Sequence, residues 1–175
     1  MDTLVLVDAK DNVIGYDEKA SCHLTPTKLH RAFSIFIVNS KGEMLVHKRS
    51  SLKTTWPGFW TNACCSHPRR GESLEEATEK RLLFEMGFVC PLEYLFRFEY
   101  KSDYDETYGE NEVDHVFFGL YDGVPKPNKG EVEDWKFVRL AELLEDVETR
   151  GARYTPWFKI ALPRVAEHIQ QAIKS

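Results

Sequence analysis

The sequence predicts an α/β (α+β) sandwich, in which helices cover a sheet. Apolar segments of strand length recur along the 175 residues, one strongly capped helix lies near the middle, and further helical segments follow at the end. Apolar residues make up 42% and charged residues 29% of the chain, as in a globular protein. No repeat or linker divides the sequence, so we expect one domain over residues 1–175.

The first third of the chain is predicted to be rich in strands. Residues 3–8 and 13–16 flank a polar turn and indicate a hairpin. The nearly continuous apolar run at residues 32–38 is typical of a strand buried on both faces. A turn at residues 39–42 then leads back into a strand at residues 44–47.

The middle of the chain contains the best-defined helix, predicted over residues 73–86. Ser73 and Glu76 have the spacing of a capping box, and Gly87 is a good stop. The preceding aromatic segment, residues 56–65, is rich in Pro and Gly and has no clear pattern.

The last part of the chain mixes strands and helices. Strands are predicted at residues 92–100 and 113–121, and the polar segment at residues 101–111 between them is expected to be a long loop. The remaining elements are a turn at 125–130, a strand at 135–138, a helix at 141–147, and a final helical region that begins with Thr155 and Pro156 and is broken or restarted at Pro163.

Charge and composition exclude several classes of function. The net charge of −5 gives no global attraction for nucleic acid or an anionic membrane. No segment approaches the roughly 20 apolar residues of a membrane span, and residues 1–8 lack the features of a signal peptide. The cysteines, Cys22, Cys64, Cys65 and Cys90, make a poor disulfide framework. We therefore expect reduced thiols and a cytoplasmic protein.

Histidines and paired carboxylates are the first candidates for chemistry. His23 and His30 share a short, polar, Pro-containing segment, and His67 follows an aromatic one. Glu110 and Glu112 would share a face if they lay on a strand. Imidazoles with carboxylates suit zinc, manganese or iron. The spacing matches no common zinc module, so on this evidence alone solvated loop residues are the favoured interpretation.

The cysteines and the charged residues of the predicted helix form the second group of candidate functional residues. A buried cysteine usually has a structural role, whereas a thiol beside a histidine or a metal is reactive. Spacing alone does not show which of Cys64 and Cys65 is the functional one. Arg81 and Glu85 lie one turn apart on the predicted helix, as an ordinary ion pair would. Nearby loops carry the scattered cations Lys19, Arg49 and Lys53.

Several segments together resemble a known family. Residues 61–68, TNACCSHP, resemble the catalytic cysteine motif T-N-x-x-C-x-H-P of type I isopentenyl diphosphate isomerases, and residues 110–113, ENEV, resemble that family's second motif. Residues 29–34 and 56–60 also look like family segments. All four occur in the family's order, within a resemblance that spans roughly residues 15–160.

That family belongs to the Nudix superfamily, so the resemblance implies a Nudix-type mixed sheet flanked by helices. The Nudix box aligns with residues 66–88, but most of its magnesium-binding acids are replaced. Matching positions are Glu72, Leu82, Glu85, Gly87 and Phe88, and departures are Ser66, Lys80, Arg81 and Phe84. The departures favour an isomerase over a Nudix pyrophosphohydrolase.

The resemblance also implies roles for individual residues. One Mn or Zn ion would be bound by His23, His30, His67, Glu110 and Glu112. The acid–base groups would be Cys65 and Glu112, with Tyr100 hydrogen-bonded near Glu112. The diphosphate would contact Lys19, Arg49, Lys53 and Arg81, a Mg²⁺ ion arriving with it would bind Glu85, and the prenyl carbons would face Trp157.

The implied activity is the interconversion of isopentenyl diphosphate and dimethylallyl diphosphate in isoprenoid biosynthesis. Proton addition at one carbon and removal from another, through a tertiary carbocation, needs two acid–base groups in a dry pocket. The partner would be a small prenyl diphosphate, with no nucleic acid or membrane, and we expect a monomer or weak dimer. The alternatives are a Nudix pyrophosphohydrolase and a non-catalytic metal-binding domain.

Overall fold

A mixed sheet with helices on both faces forms the protein, as the sequence predicts. The computed structural model describes residues 2–174. The strands are β1 (Thr3–Val7), β2 (Val13–Glu18), β3 (His30–Val38), β4 (Glu43–Arg49), β5 (Trp60–Thr61), β6 (Cys64–Ser66), β7 (Leu92–Asp103), β8 (Gly109–Leu120) and β9 (Val132–Arg139). The helices are α1 (Lys19–His23), α2 (Leu74–Met86), α3 (Leu140–Thr149) and α4 (Pro156–Lys174). None of the described helices has the length and apolar character of a membrane span.

Strand β3 lies at the centre of the sheet, as its apolar sequence predicts. It runs parallel to β8 on one side and pairs with β1, β6 and β4 in turn on the other. Residues 32–38 are buried without interruption, because both faces of the strand are covered. Strands β6 and β8 therefore lie on opposite sides of β3, and this arrangement brings their side chains to one site.

Helix α2 covers one face of the sheet. Ser73 and Glu76 make the predicted capping box, and Gly87 ends the helix in the left-handed conformation with φ 76°. Buried Leu82 and Met86 pack with Phe33 and other apolar side chains of β3. These apolar contacts fix which face of α2 is turned toward the sheet.

Helices α3 and α4 cover the other face, and the expectation of a break at Pro163 is wrong. Helix α4 continues through Pro163 to Lys174. Pro163 removes the hydrogen bond to the carbonyl of Lys159, but both residues lie on the exposed side of the helix. Water can solvate that carbonyl, so the apolar side of α4, including Phe158 and Leu162, remains packed on the sheet.

Two further expectations are corrected by the structure. The polar segment at residues 101–111 is largely strand rather than a long loop, because β7 and β8 pair over their full length and leave only residues 104–108 as a turn. The pairing supplies partners for backbone groups that a side-chain pattern does not reveal. His23 lies on the short helix α1 rather than in a loop.

Candidate active site

A cavity of about 610 Å³ opens where β3, β6, β7, β8 and the start of α4 meet. Its lining includes most of the residues predicted from the sequence. From the predicted set, the lining residues are Lys19, His23, Arg49, Lys53, Cys65, His67, Arg81, Tyr100, Glu110, Glu112 and Trp157. A cavity of this size is typical of a small-molecule site.

Three histidines and two glutamates converge at one side of the cavity. His23, His30, His67, Glu110 and Glu112 are all buried, and their ligand atoms lie within 4.8 Å of one another. The three imidazole rings are 4.9 to 5.2 Å apart between centroids. The register of the parallel pair β3–β8 places His30 directly opposite Glu112, so the sheet itself aligns the cluster.

Backbone carbonyls orient two of these imidazoles. Lys19 O accepts from Nδ1 of His23 at 2.7 Å, and Lys28 O accepts from Nδ1 of His30 at 2.8 Å. A carbonyl only accepts, so each Nδ1 carries the hydrogen. In the neutral rings Nε2 therefore presents its lone pair to the cluster.

The hydrogen bonding and charge of the buried atoms in this cluster are compatible with a metal ion. Within residues 2–174, His30 Nε2 and Glu110 Oε2 are buried without a well-aligned hydrogen bond. Burial and the neighbouring His30 and His23 lower the pKa of His67 well below its usual value, which keeps that ring neutral. Buried imidazole nitrogens and carboxylate oxygens that converge in this way could hold a metal ion.

Cys65 lies in a defined polar setting at the floor of the cavity. Its thiol donates to Asn62 Oδ1 at 3.2 Å and accepts from the indole N–H of Trp157 at 3.0 Å. Burial raises the pKa of Cys65 to about 12. The group is therefore a neutral thiol near pH 7, a proton donor rather than a thiolate.

Asn62 holds that thiol in place, a role the sequence reasoning did not assign. Its amide nitrogen donates to the carbonyls of Ile35 and Cys64 at 3.1 and 2.9 Å. These two bonds fix the amide orientation, so Oδ1 faces Cys65 and the hydroxyl of Thr61. Asn62 lies in the TNACCSHP segment, which was the available signal.

Glu112 is the second acid–base candidate, and it approaches β3 from the side opposite Cys65. Strand β6 carries Cys65 on one side of β3, and β8 carries Glu112 on the other. Glu112 accepts a hydrogen bond from Tyr100 Oη and lies 2.8 Å from His67 Nε2. Burial, and then Glu112 itself, raise the pKa of Tyr100 well above its usual value, so the phenol stays a donor.

Comparison with known proteins gives the family. The NUDIX domain family matches residues 28–158. Isopentenyl-diphosphate Delta-isomerase 1 of Aromatoleum aromaticum is 44% identical over 94% of this chain and 92% of its own length. Isopentenyl-diphosphate Delta-isomerase 2 of Photorhabdus laumondii is 47% identical over 89% and 88%, respectively. The chain belongs to the isopentenyl-diphosphate Delta-isomerase family.

Solved structures show the same fold at low identity. DR0079 from Deinococcus radiodurans has a TM-score of 0.77 at 18% identity, over 93% of this chain and 98% of that one. A MutT NUDIX hydrolase from Burkholderia pseudomallei has a TM-score of 0.63 at 21% identity, over 78% and 98%. These neighbours confirm the Nudix fold of this isomerase-family chain, including the mixed sheet and flanking helices.

In this isomerase-family chain, basic side chains ring the cavity mouth. The Arg49 guanidinium donates to the carbonyls of Thr55 and Trp56 and lies 5.2 Å from the centroid of Trp157. Lys19 is half-buried, and burial, followed by the charge of Lys53, lowers its pKa. The cavity wall therefore carries several cations, namely Lys19, Arg49, Lys53 and Arg81.

Among the described residues, two predicted ones, Glu85 and His30, do not line the cavity, and only Glu85 also lies outside the His/Glu cluster. Glu85 is buried on α2 and accepts a hydrogen bond from the Cys64 thiol at 2.8 Å. Arg81 Nε is 3.6 Å away, and Arg81 itself reaches the cavity. The helix thus presents a cation where the Nudix box usually presents acids, with Glu85 behind it.

Further polar residues at the site were not predicted, among them Ser34, Asp114 and Glu131. Ser34 Oγ donates to Asp114 at 2.7 Å in the buried core beside the cavity, and burial and Glu112 raise the pKa of Asp114 well above its usual value. Glu131 lines the cavity mouth. The sequence contains no motif or spacing that marks these residues, because pairing of β3 with β8 brings Ser34 and Asp114 together and the turn before β9 brings Glu131 to the cavity.

Proposed function

We propose that this chain interconverts isopentenyl diphosphate and dimethylallyl diphosphate in isoprenoid biosynthesis, using Cys65 and Glu112 as its two acid–base groups. The observation that carries the proposal is their placement in one cavity, on strands that flank β3 from opposite sides. One group delivers a proton to an alkene carbon, and the other accepts a proton from the carbon two positions away. The net proton count of the substrate is unchanged.

The protonation states of the cavity suit this reaction. A neutral Cys65 thiol is available to give up its proton, and its Asn62 and Trp157 contacts restrict where the sulfur lies. Burial acts to raise the pKa of Glu112, but the nearby His30, Tyr100 and His23 together hold it below its usual value, so Glu112 is a carboxylate. A neutral acid and an ionised base are the pair that a reversible proton shift requires.

The hydrocarbon part of the substrate would lie against aromatic side chains. Trp157 is buried at the cavity wall, with Tyr100 at 6.2 Å and Trp56 at 5.5 Å between ring centroids. An indole face stabilises a nearby cation by about 2 kcal/mol or more once water is excluded. Such a wall favours the tertiary carbocation over its neutral precursor.

The metal site would be formed by the His/Glu cluster. His23, His30, His67, Glu110 and Glu112 would hold one Mn or Zn ion, which orients Glu112 and alters its acidity. A Mg²⁺ ion would arrive with the diphosphate, beside Glu85 and Arg81. Removal of most acids from the Nudix box supports this assignment over pyrophosphate hydrolysis.

The diphosphate would bind at the basic mouth of the cavity, near Lys19, Arg49, Lys53 and Arg81. Binding energy from this remote group would hold the alkene between the two acid–base groups. We further propose that the protein is cytoplasmic, which suits its four free thiols, and that it works as one domain and as a monomer or weak dimer.

The experiment is a product assay on the purified holoprotein with isopentenyl diphosphate. We expect dimethylallyl diphosphate to accumulate to an equilibrium mixture without release of phosphate. Release of phosphate or an isopentenyl monophosphate would identify a pyrophosphohydrolase instead, and an unchanged substrate would favour a non-catalytic metal-binding domain.

A further inference from the structure

The carboxylate of Glu131 contacts two of the cations that line the cavity. Glu131 Oε2 lies 2.5 Å from Lys53 Nζ, and Glu131 Oε1 lies 3.7 Å from Arg81 Nη2. A single carboxylate therefore uses its two oxygens on two different cations. Both cations are among those assigned above to the substrate diphosphate, so this inference rests on the proposed function.

Glu131 neutralises cations that the cavity would otherwise offer to an anion. Arg49 already donates to two backbone carbonyls. Lys53 and Arg81 are the cavity cations that contact Glu131. A diphosphate that bound them in the present arrangement would lie beside a carboxylate, and like charges at such distances repel strongly.

The backbone of Glu131 is anchored, whereas its side chain has room to move. Its N–H donates to Asn128 O at 3.0 Å, and its carbonyl accepts from Ser50 N at 3.0 Å, just before β9 begins. The side chain is 20% exposed, so it has a path to solvent. Rotation about its side-chain bonds is enough to free both cations without disturbing the sheet.

We propose that Glu131 is an internal competitor of the diphosphate, which occupies Lys53 and Arg81 in the free protein and is displaced when the substrate binds. Displacement leaves a carboxylate near the bound anion. A divalent cation between them relieves that repulsion. Glu131 therefore selects for a diphosphate complexed with a divalent cation over the free anion.

The test is the affinity for inorganic pyrophosphate, measured by calorimetry on the holoprotein in magnesium-free buffer and again with Mg²⁺. Glu131→Gln keeps the size of the side chain and removes its charge. We expect it to tighten pyrophosphate binding about tenfold without Mg²⁺, a change of about 1.4 kcal/mol. Mg²⁺ should increase the pyrophosphate affinity of the wild type more than it increases the affinity of Glu131→Gln.

The matched control is Glu133→Gln. Glu133 lies two residues further along β9 and also pairs with a lysine, Lys48, at 2.9 Å, but outside the cavity. This variant removes the same charge and should leave pyrophosphate affinity within twofold of wild type.

Weaker or unchanged pyrophosphate binding by Glu131→Gln would overturn the inference, because Glu131 would then position the cations or bind the metal itself. If Glu131→Gln and Glu133→Gln tightened pyrophosphate binding equally, the cause would be the change in net charge, and this result would also overturn the inference. Pyrophosphate binding needs no turnover. A protein that shows the expected tightening but leaves isopentenyl diphosphate unchanged would contradict the proposed function and support the role of Glu131.

Discussion

At the scale of single residues, two adjacent cysteines have opposite environments. Cys64 is fully buried against α2 and donates to Glu85, whereas Cys65 faces the cavity and contacts Asn62 and Trp157. Adjacent residues of a strand point to opposite faces. The sequence suggested Cys65 only through its resemblance to a family motif, and strand geometry supplies the physical reason for preferring it.

This contrast predicts different effects of two alanine substitutions. Cys65→Ala should lower kcat by about 10²–10⁴-fold, because it removes one proton-transfer group. Cys64→Ala should keep most of the activity and lose about 1–2 kcal/mol of stability, because it leaves a small cavity and an unpaired Glu85. Steady-state kinetics and urea unfolding on both variants measure the two effects. Equal losses of activity in two folded variants would contradict the assignment.

Arg81 offers a second test at this scale. Its planar guanidinium can bind phosphate oxygens in pairs, which an ammonium group cannot do. Arg81→Lys should raise KM about tenfold while unfolding stability changes by less than about 1 kcal/mol. The control is Arg139→Lys, at an exposed pair with Glu142. A KM equal to wild type would place the diphosphate elsewhere.

At the scale of elements, the sequence predicted the features that short-range interactions determine, such as the ends of a helix. The capping box of α2 and its glycine stop are short-range features, and both are present. The predicted length of the β7–β8 hairpin was too short, and the predicted break in α4 is absent. Both features depend on packing or pairing partners that are distant in sequence. Polar residues 101–111 pair across strands, and Pro163 is tolerated because its side of α4 is exposed.

The end of α2 gives a stability prediction. Gly87 has φ 76°, and a Cβ there would lie 2.4 Å from the Lys126 carbonyl oxygen. Gly87→Ala should therefore lose about 2–4 kcal/mol, of which the left-handed conformation accounts for about 1 kcal/mol. Gly71→Ala is the matched control, since φ is 86° but no atom lies within 4 Å. Urea unfolding would contradict this account if the two variants lost equal stability.

At the scale of the whole molecule, the cluster joins segments far apart in the chain. His23 comes from α1, His30 from β3, His67 follows β6, and Glu110 and Glu112 come from β8. Sequence spacing alone did not reveal this site, because the parallel β3–β8 pair and the short α1 create it. Ser34 and Asp114 were missed because the same β3–β8 pair brings them together, and Glu131 was missed because a turn before β9 carries it to the cavity.

A metal at this cluster should therefore stabilise the entire fold. With Mn²⁺ or Zn²⁺ at about 100 times its dissociation constant, binding adds about 2.7 kcal/mol, or roughly 5–10 °C in Tm. Chelation should lower Tm by that amount, and added metal should restore it. His30→Gln should abolish the metal-dependent shift, whereas His168→Gln, at a partly exposed surface pair, should retain it. An unchanged Tm after chelation of metal-loaded protein would argue against the site.

The central claim is that two protein groups move protons on and off a prenyl diphosphate, and its most direct test is proton NMR of the reaction in D₂O. The holoprotein with isopentenyl diphosphate should form dimethylallyl diphosphate with deuterium in a methyl group. The Cys65→Ala protein should show far slower conversion under the same conditions. Dimethylallyl diphosphate formed without deuterium uptake at long times, or no conversion by folded, metal-loaded wild type, would contradict the account.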